Sequence, residues 1–339
     1  MTAKTSNELW AVTCYFNPCG YARRLANYRE FRRRLSVPLV TVELAYGAPS
    51  MYGAPSLGRD EADIVVQLQG RDVLWQKERL LNLALDAVPR SCQKIAWLDC
   101  DVLFRSPRWA REAAKELERF PLLQPFQVAW RAGPGGTRDG TTADNELERA
   151  LTAGSTRERS LAHGIATGTW KDDIFTSSGL RSILGCATGL AGAARREVLE
   201  QHGLYDGCIL GGGDVAFWWA AFGRADAAAK RLHMNAVQAR HYLAWAGSLH
   251  DTVAGQVGCI EGEIIDLWHG ELNDRQYATR HDGLLENQFD PTRDIALDAN
   301  GAWRWATQKP LLHDYVKAYF RSRREDGHAA ARGTPTAES

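Results

Sequence analysis

An α/β fold built on a largely parallel sheet is the architecture this sequence predicts, and three observations carry the expectation. The chain opens strand–helix–strand, the order of a βαβ unit, which places its two strands in parallel. Apolar runs of strand length then keep alternating with amphipathic helical stretches. Finally, the run Lys94–Phe104 (KIAWLDCDVLF) starts as a buried strand and stops at two acids, Asp99 and Asp101, with only Cys100 between them. In an open α/β sheet ligands bind at the carboxyl edge of the strands. Two carboxylates delivered there suit a divalent cation; the structural alternative is a turn whose acids cap the next element.

The elements follow in order. Leu9–Phe16 is the first strand, ended by Asn17, Pro18 and Gly20. A basic amphipathic helix covers Ala22–Leu35, and its arginine runs face either phosphates or solvent. Leu39–Leu44 is the second strand, with Glu43 near its end. The pentapeptide Tyr46–Ser50 recurs as Tyr52–Ser56, a Gly/Pro-rich loop. Ala62–Leu68 is the third strand and Lys77–Val88 an apolar helix with Lys77, Arg79 and Asn82 near its start. After the fourth strand, Ser106–Pro107 starts a helix that runs to Phe120, and Leu122–Trp130 is a strand. Arg131–Ser160 is expected to be a mobile excursion with a short helix at Asn145–Leu151. The second half holds a Gly-broken strand, Ile183–Ala191, and a helix, Ala194–His202, stopped by Gly203. Gly211–Asp214 then feeds an apolar helix. Ile264–Trp268 is a short strand ending at His269–Gly270, followed by a helix capped by Asn273 and a last helix, Pro310–Arg323. The organisation expected is one catalytic domain over 1–324, with a helical extension at 290–324 and a disordered tail over 325–339.

Bulk composition excludes several function classes. At 339 residues and 45% hydrophobic, the chain can bury one large core or two modest ones. Lys+Arg and Asp+Glu balance at 41 each, so no global field draws nucleic acid or an anionic membrane, and a nucleic-acid partner is disfavoured. Seven scattered cysteines make neither a disulfide framework nor a zinc site. The N-terminus lacks the apolar core of a signal peptide and no run is long enough to span a membrane. The expectation is a reduced, soluble, cytoplasmic protein. Twelve tryptophans suit sugar stacking and a bulky core equally.

Three polar groups sit at the ends of apolar runs: Asp99/Asp101, Gly211–Asp214 and His269. Two carboxylates and an imidazole form a site for Mn²⁺ or Mg²⁺. A glycine turn lets backbone approach a ligand closely and sets Asp214 at a helix N-terminus, where the positive dipole end keeps it ionised. An ionised carboxylate can take a proton from a hydroxyl. Together these are the parts for transferring a group from a nucleoside diphosphate to an alcohol.

On these residues the chain resembles glycosyltransferases of the GT-A fold, which implies a mixed, mostly parallel central sheet flanked by helices. Asp99-Cys100-Asp101 matches that fold's DxD motif, which implies that Asp99 and Asp101 hold the metal and, through it, the donor diphosphate. Asp99 also has a role at the donor ribose or at metal-bound water. Lys77–Asn82 (KERLLN) is similar to the helix that contacts the nucleotide, with Arg79 first in that role and Lys77 second. Gly185–Asp206 is similar to the segment that leads, in family-2-like and galactosyltransferase-like members, into a GGED-type motif. The matching residues are Gly211-Gly212-Gly213-Asp214: Asp214 keeps the position of the acceptor base, Gly212 and Gly213 line the donor, and Gly213 replaces the motif's Glu. His269 resembles the late metal-shell histidine, because a strand-like run precedes it and a glycine follows. His241 is its rival by spacing from Asp214. Thr13 and Tyr15 take the nucleobase-pocket position, and Glu43 the base or ribose.

The function implied is a metal-dependent, inverting glycosyltransferase using a UDP- or GDP-sugar donor and a hydroxyl acceptor. Two alternatives stand beside it. One is a nucleotidyltransferase, whose Gly-rich loop after the first strand is here Asn17-Pro18-Cys19-Gly20. The other is a non-catalytic nucleotide-sugar-binding homologue, favoured by the Gly at 213.

Overall fold

Strand β1 (Trp10–Phe16) is buried at every position, the pattern of a strand covered on both faces. Trp10, Val12, Cys14 and Phe16 enter one hydrophobic cluster, while Ala11 and Tyr15 enter the other. The period-two alternation of a strand thus feeds the cores above and below a single sheet. The structure, a computed structural model, describes residues 8–46, 56–134, 155–176 and 185–328.

Helix α1 (Ala22–Arg34) connects β1 to β2 (Leu39–Tyr46), and the two strands pair in parallel. Strand β3 (Ile64–Gly70) continues the sheet outward. Helix α2 (Lys77–Ala87) then brings the chain back to β4 (Lys94–Leu98) on the other side of β1, again parallel. The remaining elements are β5 (Val102–Phe104), α3 (Trp109–Glu116), β6 (Leu122–Gln124), β7 (Val128–Arg131), β8 (Thr156–Ser160), α4 (Leu161–Ala166), β9 (Cys186–Ala187) and β10 (Ala191–Arg195). Beyond them lie α5 (Arg196–His202), α6 (Gly213–Ala221), α7 (Ala225–Arg231), α8 (Ala236–Val253), β11 (Val257–Cys259) and β12 (Glu263–Asp266). The chain closes with α9 (Asp282–Glu286), β13 (Ile295–Leu297), β14 (Trp303–Trp305) and α10 (Pro310–Ser322).

The main sheet runs β11-β6-β10-β4-β1-β2-β3, with β10 antiparallel to both neighbours and the other pairs parallel. It is the mixed, mostly parallel α/β architecture expected. Order reverses between β1 and β4, and such a switch point opens a crevice at the carboxyl ends of the strands. A second sheet, β5-β12-β7-β8-β9, hangs from the end of β4. Gly192 of β10 allows the layers to close: a Cβ there would come within 2.1 Å of Trp97 and 2.8 Å of Trp218.

The structure corrects several boundaries. The stretch 122–130 is two strands in two sheets, broken at Pro125. The Gly-broken run at 183–191 gives way to β9 and β10, and the helix after it starts at Arg196. Within the expected 131–160 excursion, β8 pairs with β7; the helix at 145–151 and most of the repeated pentapeptides (47–55) lie outside the described residues. Residues 224–263, for which the sequence reading had no element, hold α7, α8 and β11. Asn273 opens only a single 3-10 turn. The extension at 290–324 contains the β13–β14 hairpin before its helix. The α1 arginines meet acids, not solvent alone: Arg29 pairs with Glu61 at 2.7 Å and Arg32 with Asp63 at 3.1 Å.

The tail expectation is also corrected at its start. Glu325 is 1% exposed and bonds Arg24 at 2.9 Å and Arg323 at 2.5 Å. The Asp326 carboxylate accepts the α1 amides of Ala22 and Arg23 at 3.0 and 2.7 Å, a cap supplied from the far end of the chain. Despite its burial, Arg24 and Arg323 hold the Glu325 carboxyl well below its ordinary range. The folded carboxyl therefore resists a proton that the unfolded one accepts near pH 4. Its contribution is present above that pH and is lost as pH falls toward the folded value. Glu325→Gln should cost about 3–5 kcal/mol at pH 7 by leaving two guanidiniums uncompensated. In denaturant unfolding, the gap between wild type and variant should narrow from pH 5 to pH 3. A gap independent of pH would sink the assignment.

Candidate active site

Strand β4 ends at Leu98, and the Asp99 amide donates to the Leu190 carbonyl at 2.8 Å. This bond turns the chain so that Asp99 and Asp101 face one cavity of about 210 Å³. Strand β5 leaves immediately from Asp101 and pairs antiparallel with β12, Val102 opposite Asp266. The Leu267 amide donates to the Asp101 carbonyl at 2.9 Å. That register brings Asp266 and then His269 against Asp101, although more than 160 residues separate them in sequence.

Asp101, Asp266 and His269 each present a ligand atom within 4.8 Å of the others. The His269 Nδ1 lies 2.8 Å from the Leu267 carbonyl and 3.4 and 3.9 Å from the Asp101 and Asp266 carboxylates, so this edge of the ring faces the two acids. Burial and Arg275 hold that imidazole far below its ordinary pKa, to about 3. Burial and the neighbouring Asp266 and Asp99 push Asp101 up to about 8. Asp266 is fastened by Arg131, which also bonds Glu158 at 2.8 Å, yet its Oδ1 is buried without a hydrogen-bond partner among the described residues. Two carboxylates and an imidazole, one oxygen left over and the acids in mutual repulsion, fit a small divalent cation of the Mn²⁺ or Mg²⁺ type.

Asp99 takes a different place. Lys77, at the start of α2, bonds Asp99 at 2.6 Å and both oxygens of Asp214 at 2.9 and 3.0 Å. Asp214 lies in the first turn of α6, entered through Gly211 (φ 76°) and Gly212 (φ 94°). Those left-handed conformations favour glycine. Close approach adds further demands: a Cβ at Gly189 would meet Asp214 Oδ2 at 2.5 Å, and one at Gly213 would meet Glu78 Oε1 at 2.1 Å. Glu78 therefore fills the space in which a side chain at 213 would begin. Its burial pushes its carboxyl up to about 8.

The structure gathers Lys77, Asp99, Asp101, Gly212, Asp214 and His269 around the cavity, together with Thr13, whose hydroxyl donates to the Leu98 carbonyl at 2.7 Å. Other candidates lie elsewhere. Arg79 is held by the Gly301 carbonyl at 2.6 Å and stands over the Trp303 ring at 5.9 Å. Tyr15 packs edge-on to Tyr28. Glu43 accepts the Ser56 amide at 2.5 Å and the Gln67 side chain at 3.1 Å. His241 bonds the Tyr205 hydroxyl at 3.0 Å on α8. Gly213 sits behind the turn, against Glu78. Of the two histidines, it is His269 that meets Asp101. Cys100 is buried, with its thiol pushed far up by desolvation, a spacer and not a nucleophile.

Sequence reasoning missed Asp266, Glu78, Arg131, Arg231, Arg275, Arg280 and His281, all at the cavity except that Arg131 also reaches Glu158. A signal existed for Asp266: it is an acid at the end of the run Ile264–Ile265, three residues before His269.

No family model matches the chain, and no curated protein sequence does. Among solved structures it is similar to a glucosyl-3-phosphoglycerate synthase of M. tuberculosis, at 13% identity and TM-score 0.39 over 89% of each chain. It is also similar to residues 1–349 of S. aureus TarS, at 12% identity and TM-score 0.29 over 72% of each chain. A putative nucleotide-diphospho-sugar transferase from Desulfovibrio desulfuricans G20 is similar at 9% identity and TM-score 0.30, over 95% of this chain and 99% of that one. These are likenesses of fold.

Lys77 is the testable centre of this arrangement. Lys77→Gln removes the charge that holds Asp99 and Asp214 together and should cost about 3–5 kcal/mol at pH 7. Without the ammonium the Asp99 carboxyl, which burial already pushes up to about 6, takes up a proton more readily, so the variant should regain stability as pH falls from 7 to 5. Denaturant midpoints of variant and wild type at the two pH values check this. A loss that does not shrink at pH 5 would show that Lys77 acts through packing alone.

Proposed function

We propose that this chain is a metal-dependent glycosyltransferase of the GT-A type, one catalytic unit that moves a sugar from a nucleoside-diphosphate-sugar to a hydroxyl acceptor with inversion. The observation that carries the reading is the convergence, in one cavity at the sheet's switch point, of a cation-ligand trio and a carboxylate at a helix N-terminus. Asp101, Asp266 and His269 would hold Mn²⁺ or Mg²⁺, with Asp266 in the place the sequence reading assigned to Asp99. When bound, the ion offsets the charge of the departing diphosphate. A UDP- or GDP-sugar is the proposed donor, with Thr13 at the floor of its pocket.

Asp214 is the proposed base. Lys77 bonds it, and it lies in the first turn of α6, where the positive end of the helix dipole favours negative charge. A carboxylate has about four acceptor sites, so the two contacts from Lys77 leave room for the acceptor hydroxyl. As that oxygen attacks the anomeric carbon, its proton passes to Asp214. The bond from the anomeric carbon to the diphosphate oxygen breaks, and the nucleoside diphosphate leaves with the bonding pair. Lys77 fixes Asp214 relative to Asp99, which we assign to the donor side. Glu78, seated where a side chain at 213 would begin, is assigned the acceptor contacts that a GGED-type Glu would make. Among the described residues no helix is long and apolar enough to cross a membrane; a cytoplasmic location is part of the proposal.

Two substitutions separate the roles. Asp266→Asn should abolish the rise in melting temperature that UDP or GDP with Mn²⁺ produces, as should Asp101→Asn. Asp214→Asn should keep that rise while lowering kcat by a factor of about 10² or more. If Asp266→Asn retains the full Mn²⁺-dependent shift, the trio is not the metal site. An Asp214→Asn effect confined to KM would remove Asp214 as base.

A further inference from the structure

Behind the Gly211–Gly212 turn, the cavity is lined by Arg231, Arg280 and His281. None of the three has a carboxylate partner among the described residues. Arg280 is 8% exposed. Its Nε donates to His281 Nε2 at 3.2 Å and its Nη1 to the Tyr319 hydroxyl at 3.0 Å, while Nη2 has no partner among the described residues. The guanidinium lies across the turn: a Cβ at Gly211 would meet its Cζ, Nη1 and Nη2 at 3.3 Å each. Leu232, next to Arg231, and His281 press on Gly212 in the same way, at 2.6 and 3.3 Å.

Among the described residues neither arginine has an acid partner in this corner: Asp282, which follows His281, pairs with His233. His281 accepts from Arg280 and is therefore neutral, and burial with the Arg280 charge holds its pKa well below the ordinary value. Burial and Arg280 also lower the pKa of Arg231, although an arginine stays charged under any such shift. The cavity's acids lie against other groups: Asp99 and Asp214 on Lys77, Asp266 on Arg131, Asp101 on His269 and Glu78 on Gly213. Arg131 and Arg275 already face the cation trio, where a donor diphosphate would lie. Two like charges, one of them deeply buried, beside the turn that carries Asp214, call for an anion that arrives with a ligand.

We propose that Arg231 and Arg280, with His281 orienting Arg280, form a subsite for a phosphate monoester carried by the acceptor, separate from the seat of the donor diphosphate. The proposal rests on the glycosyl-transfer reading of the cavity. Two guanidiniums offer several directed N–H donors to a doubly charged tetrahedral group, more than a single carboxylate needs.

The test is a thermal-shift and calorimetric titration of the full chain with inorganic phosphate, with and without saturating UDP or GDP and Mg²⁺. Acetate at matched ionic strength is the carboxylate arm. Phosphate should bind in both conditions and acetate should not. Arg231→Gln, on a partly exposed helix end, and Arg280→Gln should each weaken phosphate binding at least about tenfold. Both should keep the nucleotide-dependent shift, which also reports that they fold. Phosphate binding that disappears once the nucleotide is bound would assign the arginines to the donor diphosphate and overturn the proposal. Acetate binding as well as phosphate would overturn the phosphate assignment, and wild-type phosphate affinity in Arg231→Gln would overturn the site. Should no nucleoside diphosphate shift the protein, the transfer reading falls and the acceptor assignment with it. The response to phosphate alone, with its loss in Arg231→Gln, would still decide separately whether the anion site exists.

Discussion

One buried ammonium group organises the cavity. Lys77 reaches from the start of α2 to the end of β4 and the first turn of α6, joining Asp99 and Asp214 across 115 positions of sequence. It is 8% exposed, and taking a charge that far from water is costly unless carboxylates surround it. Here they do: burial alone would lower the Lys77 pKa, but Asp214 and Asp99 raise it well above the ordinary value. The ammonium therefore stays charged, and the two acids are oriented by the protein itself. The acids free of Lys77, Asp101 and Asp266, are the ones that gather with His269 as a candidate cation site. This division explains why Asp99 and Asp101, two positions apart, end up with different neighbours.

The second half of the constraint is a register. Asp266 and His269 reach Asp101 because β12 pairs with β5, and β5 begins one residue after Asp101. A slip of one residue in that pairing would turn Asp266 to the opposite face of the strand. Parallel pairing of β12 with β7, Asp266 opposite Arg131, locks the register from the other side and supplies the guanidinium that fastens the carboxylate.

These two constraints mark how far the sequence was legible. The strand–helix alternation through β4, the acids at its end, the glycine turn before α6 and the choice of His269 followed from local patterns: buried apolar runs, positive-φ glycines, a strand that stops at polar residues. What was missed depended on pairing at long range. Asp266 needs the β5–β12 register to acquire meaning. Glu78 is an ordinary helical acid until α2 is laid beside Gly213, and Arg231 and Arg280 meet only because α7 and the 276–281 segment both pack on one turn. Helix α8 is a different case. Its buried residues, Gln238, Tyr242, Ala246, Leu249 and Val253, follow helical spacing behind an Asn235 cap, but a stripe built partly of Gln and Ala is faint in hydrophobicity alone. Arg79 and Glu43 failed to reach the cavity for the opposite reason: each is a plausible ligand group by position, and each is held by a backbone partner from a neighbouring loop.

The distribution of charge then bears on direction. Chain-wide, Lys+Arg and Asp+Glu balance, yet inside the cavity the two signs are sorted. Acids concentrate at the ends of β4 and β12 and just before β5, where Lys77 and Arg131 pair with Asp99 and Asp266, and Arg231 and Arg280, without carboxylate partners among the described residues, lie behind the Gly211–Gly212 turn. A sorted cavity distinguishes its two ends for any ligand that carries charge at one end only. On the proposed glycosyl-transfer reading, the donor's diphosphate goes to the acidic side with its cation, and an anionic group on the acceptor goes to the other. Asp214 lies beside that seat, on the turn that Arg280 and His281 pack against. The same glycines that allow the arginine to approach also set the carboxylate at the head of α6. On that reading, binding of an anion and placement of the proposed base are two consequences of one backbone turn.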